Sequence, residues 1–373
     1  MDFSFSEEQD AVKELAAQIL DGQLGNDALK AFDAGDEPFD RGTWAEFAKA
    51  GLLGIALPES VGGAGLGFIE AALVLEQIGR TTAPVPYLPA VVLGAMPIAE
   101  FGTDAQREAL LPGVVAGDSI LTAGLVEFGT APGRPTTTAR RDGDGWRLDG
   151  SKLCVPMGGQ ADRILVPAAT GENAVGVFVV DPTADGVSQE ALVTTAYQPE
   201  TRLDLDGVIV GAGDVVGDAD GGGPIVAWMV EHATAAGCAT AIGVCAEALR
   251  LTAEYTKTRE QFDRPIATFQ AVGQRAADAY IDTEAVRLTA WQAVWRLSEG
   301  LPATEAVAIA KFWTAEGGQR VVHAAQHLHG GMGVDRDYPL HRYFLWAKQI
   351  ELTLGGGTNH LLELGKILAD EPV

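Results

Sequence analysis

Positive charge is what this chain most lacks: 26 Lys and Arg stand against 51 Asp and Glu, a formal net charge of −25. Such a chain has no basic surface for sequence-independent nucleic-acid binding, which runs on phosphate neutralisation. A phosphate-bearing ligand would also meet a repelling overall field, so it needs a local basic group or a helix end. Cysteine is scarce too. Cys154, Cys238 and Cys245 form no CxxC pair and sit among apolar or small residues, which predicts buried free thiols in a reducing cytoplasm rather than a disulfide framework. Long apolar runs are missing: Ala50 to Leu57 and Val85 to Pro97 are too short or too broken to span a bilayer, so no membrane span is expected. The start, Met1-Asp-Phe-Ser-Phe-Ser-Glu-Glu8, carries no basic stretch of the secretory kind, so a cytoplasmic protein is expected. No Gly-x-Gly-x-x-Gly follows a strand pattern to suggest a nicotinamide site. With 47% apolar residues, the chain is still rich enough in core-forming side chains to fold, and its 373 residues suit two or three domains.

The pattern along the chain changes twice. Ser6-Glu-Glu-Gln9 reads as a capping start to a helix reaching about Leu20, with Ala11, Val12, Leu15, Ala16 and Ile19 on one stripe. Helical patterns recur over 41–52, 67–78, 88–99 and 103–116. The glycine-rich Pro58 to Gly67 loop between them lacks the lysine of a phosphate loop and reads as a corner. After Gly117 short β-rich runs appear at 147–152, 163–168, 174–180 and 201–210, broken by Asp-Gly, Gly-Asp and Pro. They predict a compact antiparallel barrel or sandwich. Asp218 to Pro224 reads as a flexible junction, and long alanine-rich helical patterns follow over 225–253, 269–297, 303–328 and 339–352. An α+β multidomain chain is therefore expected: an N-terminal helical domain over 1–118, a middle β domain over 119–220, and a C-terminal four-helix bundle over 221–373.

Several motifs within this order resemble the acyl-CoA dehydrogenase family across essentially the whole chain. The early glycine-rich loop with Glu76-Gln-Ile-Gly79-Arg80 resembles the family's N-terminal domain, and Arg141 to Lys152 resembles a turn and strand of its middle domain. The strongest match is Tyr255-Thr-Lys-Thr-Arg259-Glu-Gln-Phe262-Asp-Arg-Pro-Ile266, continued by Phe269-Gln270. Gln326-His-Leu-His-Gly-Gly-Met-Gly333, followed by Tyr338-Pro339, is nearly as specific. The resemblance implies the family fold and FAD. It also implies that Arg259, Phe262 and Gln270, with His327, Leu328, Gly330 and Gly331, contact the FAD of a neighbouring subunit. Those residue types suit the task. A guanidinium offers planar charged donors to a pyrophosphate, and paired glycines permit close backbone approach. His323, His327 and His329 lie close together but beside no Asp or Cys cluster, so no metal site is expected.

The family's reaction needs a carboxylate to take the proton alpha to a thioester. In most members, the resemblance implies, a glutamate stands just before Gly-Thr near the end of the bundle. Here that segment is Glu351-Leu-Thr-Leu-Gly-Gly-Gly-Thr358, which puts Gly356, or in another register Leu354, at the base position. Neither can carry a proton, and Glu351 is three to five residues away. Some members carry the base on an earlier bundle helix, and that position is Ala233, beside Glu231 and His232. A shift of one or two residues turns a side chain roughly 100 to 200° around a helix. Glu231 is the best internal substitute, and His232 reads as a packing or hydrogen-bonding residue. The middle domain departs as well. Val126 and Phe128 replace a threonine and a proline of the family's flavin face, its Gly-Ser-Asp element is gone, and Lys152-Leu-Cys-Val-Pro156 replaces another flavin-facing stretch.

Residues that reach a neighbour's cofactor are kept, and those serving the chain's own are lost. This pattern is similar to the non-base subunit of heteromeric actinobacterial acyl-CoA dehydrogenases of cholesterol and steroid side-chain breakdown. It implies an α2β2 assembly with a homologous glutamate-bearing partner, an acyl-CoA substrate and an electron-transfer flavoprotein as acceptor. Two other readings stay open: a self-sufficient homo-oligomeric dehydrogenase using a base such as Glu231, and a non-catalytic scaffold of the same fold.

Overall fold

The first helix starts where local capping chemistry puts it. The Ser6 hydroxyl accepts the Gln9 N–H at 3.2 Å, and the Ser6 N–H donates to the Gln9 side chain at 3.0 Å. Helix α1 (Glu7–Gln23) follows, one turn longer than expected. The computed structural model describes residues 4–370, so the ends of the 1–118 and 221–373 ranges lie outside it. The further helices are α2 (Asn26–Asp33), α3 (Arg41–Lys49), α4 (Phe68–Thr81), α5 (Met96–Phe101), α6 (Asp104–Ala116), α7 (Gly223–Thr258), α8 (Gln270–Ser298), α9 (Thr304–His329), α10 (Leu340–Leu352) and α11 (Gly357–Asp370). A π-helical stretch, Leu88–Ala95, precedes α5. The strands are β1 (Leu121–Ala123), β2 (Thr138–Asp142), β3 (Gly145–Pro156), β4 (Arg163–Ala169), β5 (Val175–Val180), β6 (Val187–Leu192), β7 (Glu200–Val210), β8 (Val215–Val216), β9 (Glu260–Gln261) and β10 (Arg264–Pro265).

These elements form two compact units, and α7 contributes to both. One unit holds Met1–Asp36, Phe68–Ala83 and Thr234–Val373; the other holds Glu37–Gly67 and Pro84–Ala233.

The first unit is helical. Its most exacting contact is the crossing of α4 and α7, where Gly79 and Gly243 face backbone. A methyl group at Gly79 would stand 1.9 Å from the Thr240 carbonyl oxygen, and one at Gly243 would stand 1.9 Å from that of Glu76. Only a residue without Cβ lets two helices approach so closely. Helices α7, α8 and α9 share a core of Cys245, Ala279, Val321 and Ala324. Arg320 of α9 grips Asp282 of α8 through two bonds, at 2.8 and 2.5 Å. The four long helices expected from the sequence are present, α7 to α10, and α2 and α11 are additional. Helix α11 leaves Leu361, Leu362 and Leu368 exposed, so its leucines give no single buried stripe.

The second unit carries the sheet, in the order β6-β7-β3-β2-β4-β5-β8, with β1 also paired to β4. The pairings β1–β4 and β2–β4 are parallel, so the sheet is mixed where an antiparallel one was expected. A core of Trp146, Leu148, Ile164, Phe178, Leu203 and Val208 fills one face. The Pro58 to Gly67 loop is a packed corner, because the N–H groups of Gly63, Ala64, Gly65 and Leu66 all donate to backbone carbonyls and so are not offered to a phosphate. The expected flexible junction at 218–224 is tied down. The Gly222 N–H donates to the Val175 carbonyl at 2.7 Å.

One more expectation is corrected. Cys238 and Cys245 are buried, but Cys154 is exposed. A register shift between Lys152 and Val155, with Cys154 at φ 50°, breaks strand alternation and turns that thiol outward. Helix α7 has the length and apolarity to cross a membrane, although no shorter stretch singled out in the sequence did. Of its most apolar window, 72% is buried within the fold, as in a core helix.

Candidate functional site

The retained motifs both belong to the first unit, and one ring from each, Tyr255 and His329, stack on one another. Helix α7 stops at Thr258, and Arg259 follows it, exposed, with its N–H donating to the Tyr255 carbonyl at 2.8 Å. Strands β9 and β10 then pair as a minimal hairpin whose two turn residues, Phe262 and Asp263, have φ of 56° and 61°. Asn and Gly adopt that conformation readily; a phenylalanine held there is strained by about 1–2 kcal/mol. The strain presents the Phe262 ring outward, 86% exposed. Backbone strain of this kind concentrates at functional positions. Arg264 lies 4.2 Å from the Phe269 ring centroid, and that ring meets Phe262 edge-on at 6.1 Å. Gln270, exposed, opens α8.

The second motif closes α9. His327 is exposed, Leu328 half-buried, and Gly330 takes φ 60°, ψ −135°, a conformation open to glycine. Neither Gly330 nor Gly331 has a heavy atom within 4 Å of where a Cβ would be, so the turn is open to close approach. At the next glycine, Gly333, a Cβ would instead stand 2.7 Å from the Gln326 carbonyl oxygen. Within the second motif lies His329, to which the sequence gave no role beyond being one of three clustered histidines. Its ring stacks on Tyr255 of α7 with centroids 4.3 Å apart, its Nδ1 is 2.8 Å from the Ala325 carbonyl oxygen, and its Nε2 is 3.2 Å from the Tyr338 hydroxyl. Burial holds its pKa below the ordinary imidazole value, against a smaller upward pull from the Ala325 bond. The sequence signal was slight: Tyr255 is four residues, about one helical turn, before Arg259.

The base position lies at the junction of α10 and α11. Leu354 has φ 55° and Gly355 φ 96°, and a side chain added at Gly356 would approach only the Glu351 carbonyl oxygen, at 3.8 Å. No carboxylate stands at either register. The Glu351 carboxylate accepts from Lys348 at 2.5 Å. The Leu354 carbonyl accepts from His360 Nε2 at 3.0 Å. Beneath the junction Lys311 is buried with its amine donating to the Ile350 carbonyl, at the C-terminal end of α10 where a cation is favoured. Burial nonetheless pushes the Lys311 pKa down to about 8.

In the second unit, Glu231 is half-buried on α7, one residue before His232. The His232 ring stacks on Trp228 with centroids 3.6 Å apart, and its Nδ1 meets the Trp228 carbonyl at 2.9 Å. Burial pushes its pKa down to about 4, so it is a neutral packing group near neutral pH. Ala233 is buried beside it. The altered stretch of the β domain hides an unforeseen ion pair. Lys152 Nζ is 2.5 Å from Glu127 Oε1, with side-chain exposures of 1% and 2%. Glu127 also accepts the Thr136 N–H and hydroxyl and the Thr137 N–H. Beside it Phe128 is 90% exposed. The Cys154 thiol, exposed yet partly desolvated by its neighbours and set beside the Glu200 carboxylate, is pushed up to about 11, so it is no reactive thiolate. Among the described residues no group of three or more His, Cys, Asp or Glu could hold a metal.

Comparison with known proteins gives two family matches. The acyl-CoA dehydrogenase N-terminal domain matches residues 6–118, and the acyl-CoA dehydrogenase C-terminal domain matches residues 220–367. The chain is 42% identical to the acyl-CoA dehydrogenase FadE27 of Mycobacterium tuberculosis, with all of both chains covered. A chain of the ChsE4–ChsE5 complex of the same organism superposes with a TM-score of 0.94 at 42% identity, again over all of both chains. A chain of a variant of the Tcur3481–Tcur3483 steroid ACAD has a TM-score of 0.91 at 46% identity over 98% of each chain.

Proposed function

The chain belongs to the acyl-CoA dehydrogenase family, and from that premise we propose that it is the base-lacking subunit of a heteromeric acyl-CoA dehydrogenase acting on a steroid side-chain thioester. One observation carries this reading: Arg259 and Phe262 are exposed and the Gly330-Gly331 turn is open, in a chain with no carboxylate at Leu354 or Gly356.

Members of the family are FAD-binding flavoproteins, and the residues present fit that group. Arg259 is exposed, so its guanidinium can reach a diphosphate, Phe262 offers a bare ring, and the glycine turn admits a ligand to backbone distance. Gln270, His327 and Leu328 border these groups in sequence and complete the cradle. FAD, when bound, supplies the hydride acceptor for the carbon beta to the thioester. Arg259 binds and orients, Phe262 shields an apolar face from water, and the turn sets the approach. Proton abstraction from the alpha carbon falls to the glutamate of a homologous partner, since this chain brings none to the position.

Two features support a partner of that kind. Ile281, Leu288 and Trp295 are exposed on α8 at intervals of seven, the spacing of a seam that receives another helix. Exposed leucines of α11 add to it. Two of the similar structures are named for pairs of different chains, one of them a steroid enzyme, and this motivates both the α2β2 arrangement and the substrate class. An electron-transfer flavoprotein in the cytoplasm is the acceptor in this proposal, and 1–118, 119–220 and 221–373 remain its domains.

The test is to purify the chain alone and with candidate glutamate-bearing homologues, and to measure bound FAD by absorbance. The proposal expects flavin only in the complex, about one per two chains, because a cofactor shared by an interface stabilises only the assembled state. A full complement in the chain alone would sink it and make Glu231 the first residue to replace.

A further inference from the structure

Arg259 and the Gly330-Gly331 turn are separated by some 70 residues of α8 and α9, and a cradle made of both works only if something fixes one against the other. We infer that His329 is the positioning residue that does so, acting as a clamp between Tyr255 and Tyr338; this rests on the functional reading above and extends it to how the cradle is held.

The geometry assigns each face of the imidazole. A carbonyl can only accept, so Nδ1 carries the proton given to Ala325, and Nε2 is left to accept from the Tyr338 hydroxyl. The flat face lies on Tyr255 at an interplanar angle of 22°. One ring therefore joins the last turns of α7 and α9 and the segment that leads into α10. It sits immediately before the first glycine of the turn, and its tyrosine platform sits one helical turn before Arg259, whose N–H that same tyrosine's carbonyl accepts. Any tilt of the ring must move the glycine turn or the Arg259 end of α7. Ordinary core filling would need neither the two directed hydrogen bonds nor a stacked partner at that position.

The experiment uses the full chain co-purified with its glutamate-bearing partner. Hydrogen exchange by mass spectrometry, without added FAD, follows residues 259–266 and 327–334 in wild type, His329→Ala, Tyr255→Ala and Tyr255→Phe. FAD affinity is titrated in the same samples by flavin fluorescence. A clamp predicts that His329→Ala and Tyr255→Ala speed exchange in both segments together by roughly tenfold, as local opening does when a tie is cut. It predicts an FAD Kd about ten- to hundredfold higher, the loss of one well-placed charged contact. Tyr255→Phe keeps the ring and stays within about twofold of wild type on both readouts. Faster exchange confined to 327–334, or a lowered melting temperature with unchanged FAD affinity, overturns the clamp and leaves a merely packed histidine. A wild-type complex that takes up no FAD overturns the functional reading instead, and the paired exchange rates then still decide whether the clamp exists.

Discussion

Replacing Lys152 with methionine tests whether the altered β domain is held by its hidden ion pair. The pair is 2.5 Å long and almost wholly sheltered. Removing one partner of a buried pair leaves an uncompensated charge and costs about 3–5 kcal/mol. Glu127 keeps donors from Thr136 and Thr137, so Lys152→Met belongs near the lower end, about 3 kcal/mol, or roughly a 150-fold rise in local opening. Neutralising the orphan as well, in Lys152→Met with Glu127→Gln, should recover at least about 2 kcal/mol as coupling between neighbours. A chain of two units need not unfold in one step, so the assay is hydrogen exchange on β2 to β4 peptides, which reads local opening free energy. Acid adds a second reading. Burial pushes the Glu127 carboxyl up, but the Lys152 charge and the bonds from Lys152, Thr136 and Thr137 outweigh it and hold the pKa at about 2. A carboxyl depressed in the fold stabilises above its unfolded value near 4.5, and that contribution drains away as pH falls towards 2. Lys152→Met should flatten the pH dependence in that window. A loss below about 1 kcal/mol, or strict additivity in the double variant, would refute the reasoning and mean that water reaches the pair.

Gly79→Ala sets a methyl group against the Thr240 carbonyl and should cost more than the usual 1–3 kcal/mol of overpacking, seen as a sharp fall in soluble yield and melting temperature. Lys311 has its folded pKa, about 8, below the ordinary lysine value of 10.5, so the fold resists its charge at neutral pH and stability rises as pH climbs between those values. Urea midpoints at pH 7.5 and 9.5 should show that rise in wild type and lose it in Lys311→Met. Arg259→Ala should weaken FAD uptake by the complex about ten- to hundredfold while leaving the melting temperature of the FAD-free complex in place, since the side chain is exposed. At Gly356 a Cβ meets nothing closer than 3.8 Å, so Gly356→Glu should fold, yet the chain alone should show no thioester desaturation, because the stretches at Val126 to Phe128 and Lys152 to Pro156, which the proposal places at the flavin face, remain altered; turnover by that variant alone would contradict the shared-site reading.

The sequence by itself determined whatever depends on a few neighbouring residues. The Ser6–Gln9 capping box closes within four residues, so the start of α1 was legible. The long helices α7 to α10 follow from sustained periodicity, and the family from motifs that are themselves local. That no carboxylate stands at Leu354 or Gly356 was legible for the same reason, since residue identity at one position needs no fold. Tertiary structure decided what rests on partners far apart in the chain. Its apolar and small neighbours put Cys154 inside, but a bulge in β3 set by pairing with β7 turned it out. Glu127 and Lys152 look like ordinary surface charges until strand pairing buries them together. Nothing near Gly79 announces Gly243, because their need for each other exists only where α4 and α7 cross. His329 stood in the sequence as one of three clustered histidines, and only the packing of α9 on α7 gave it Tyr255 as a platform. Local rules fix which elements form, whereas burial and pairing energies depend on which of them meet, and that is written in the fold as a whole.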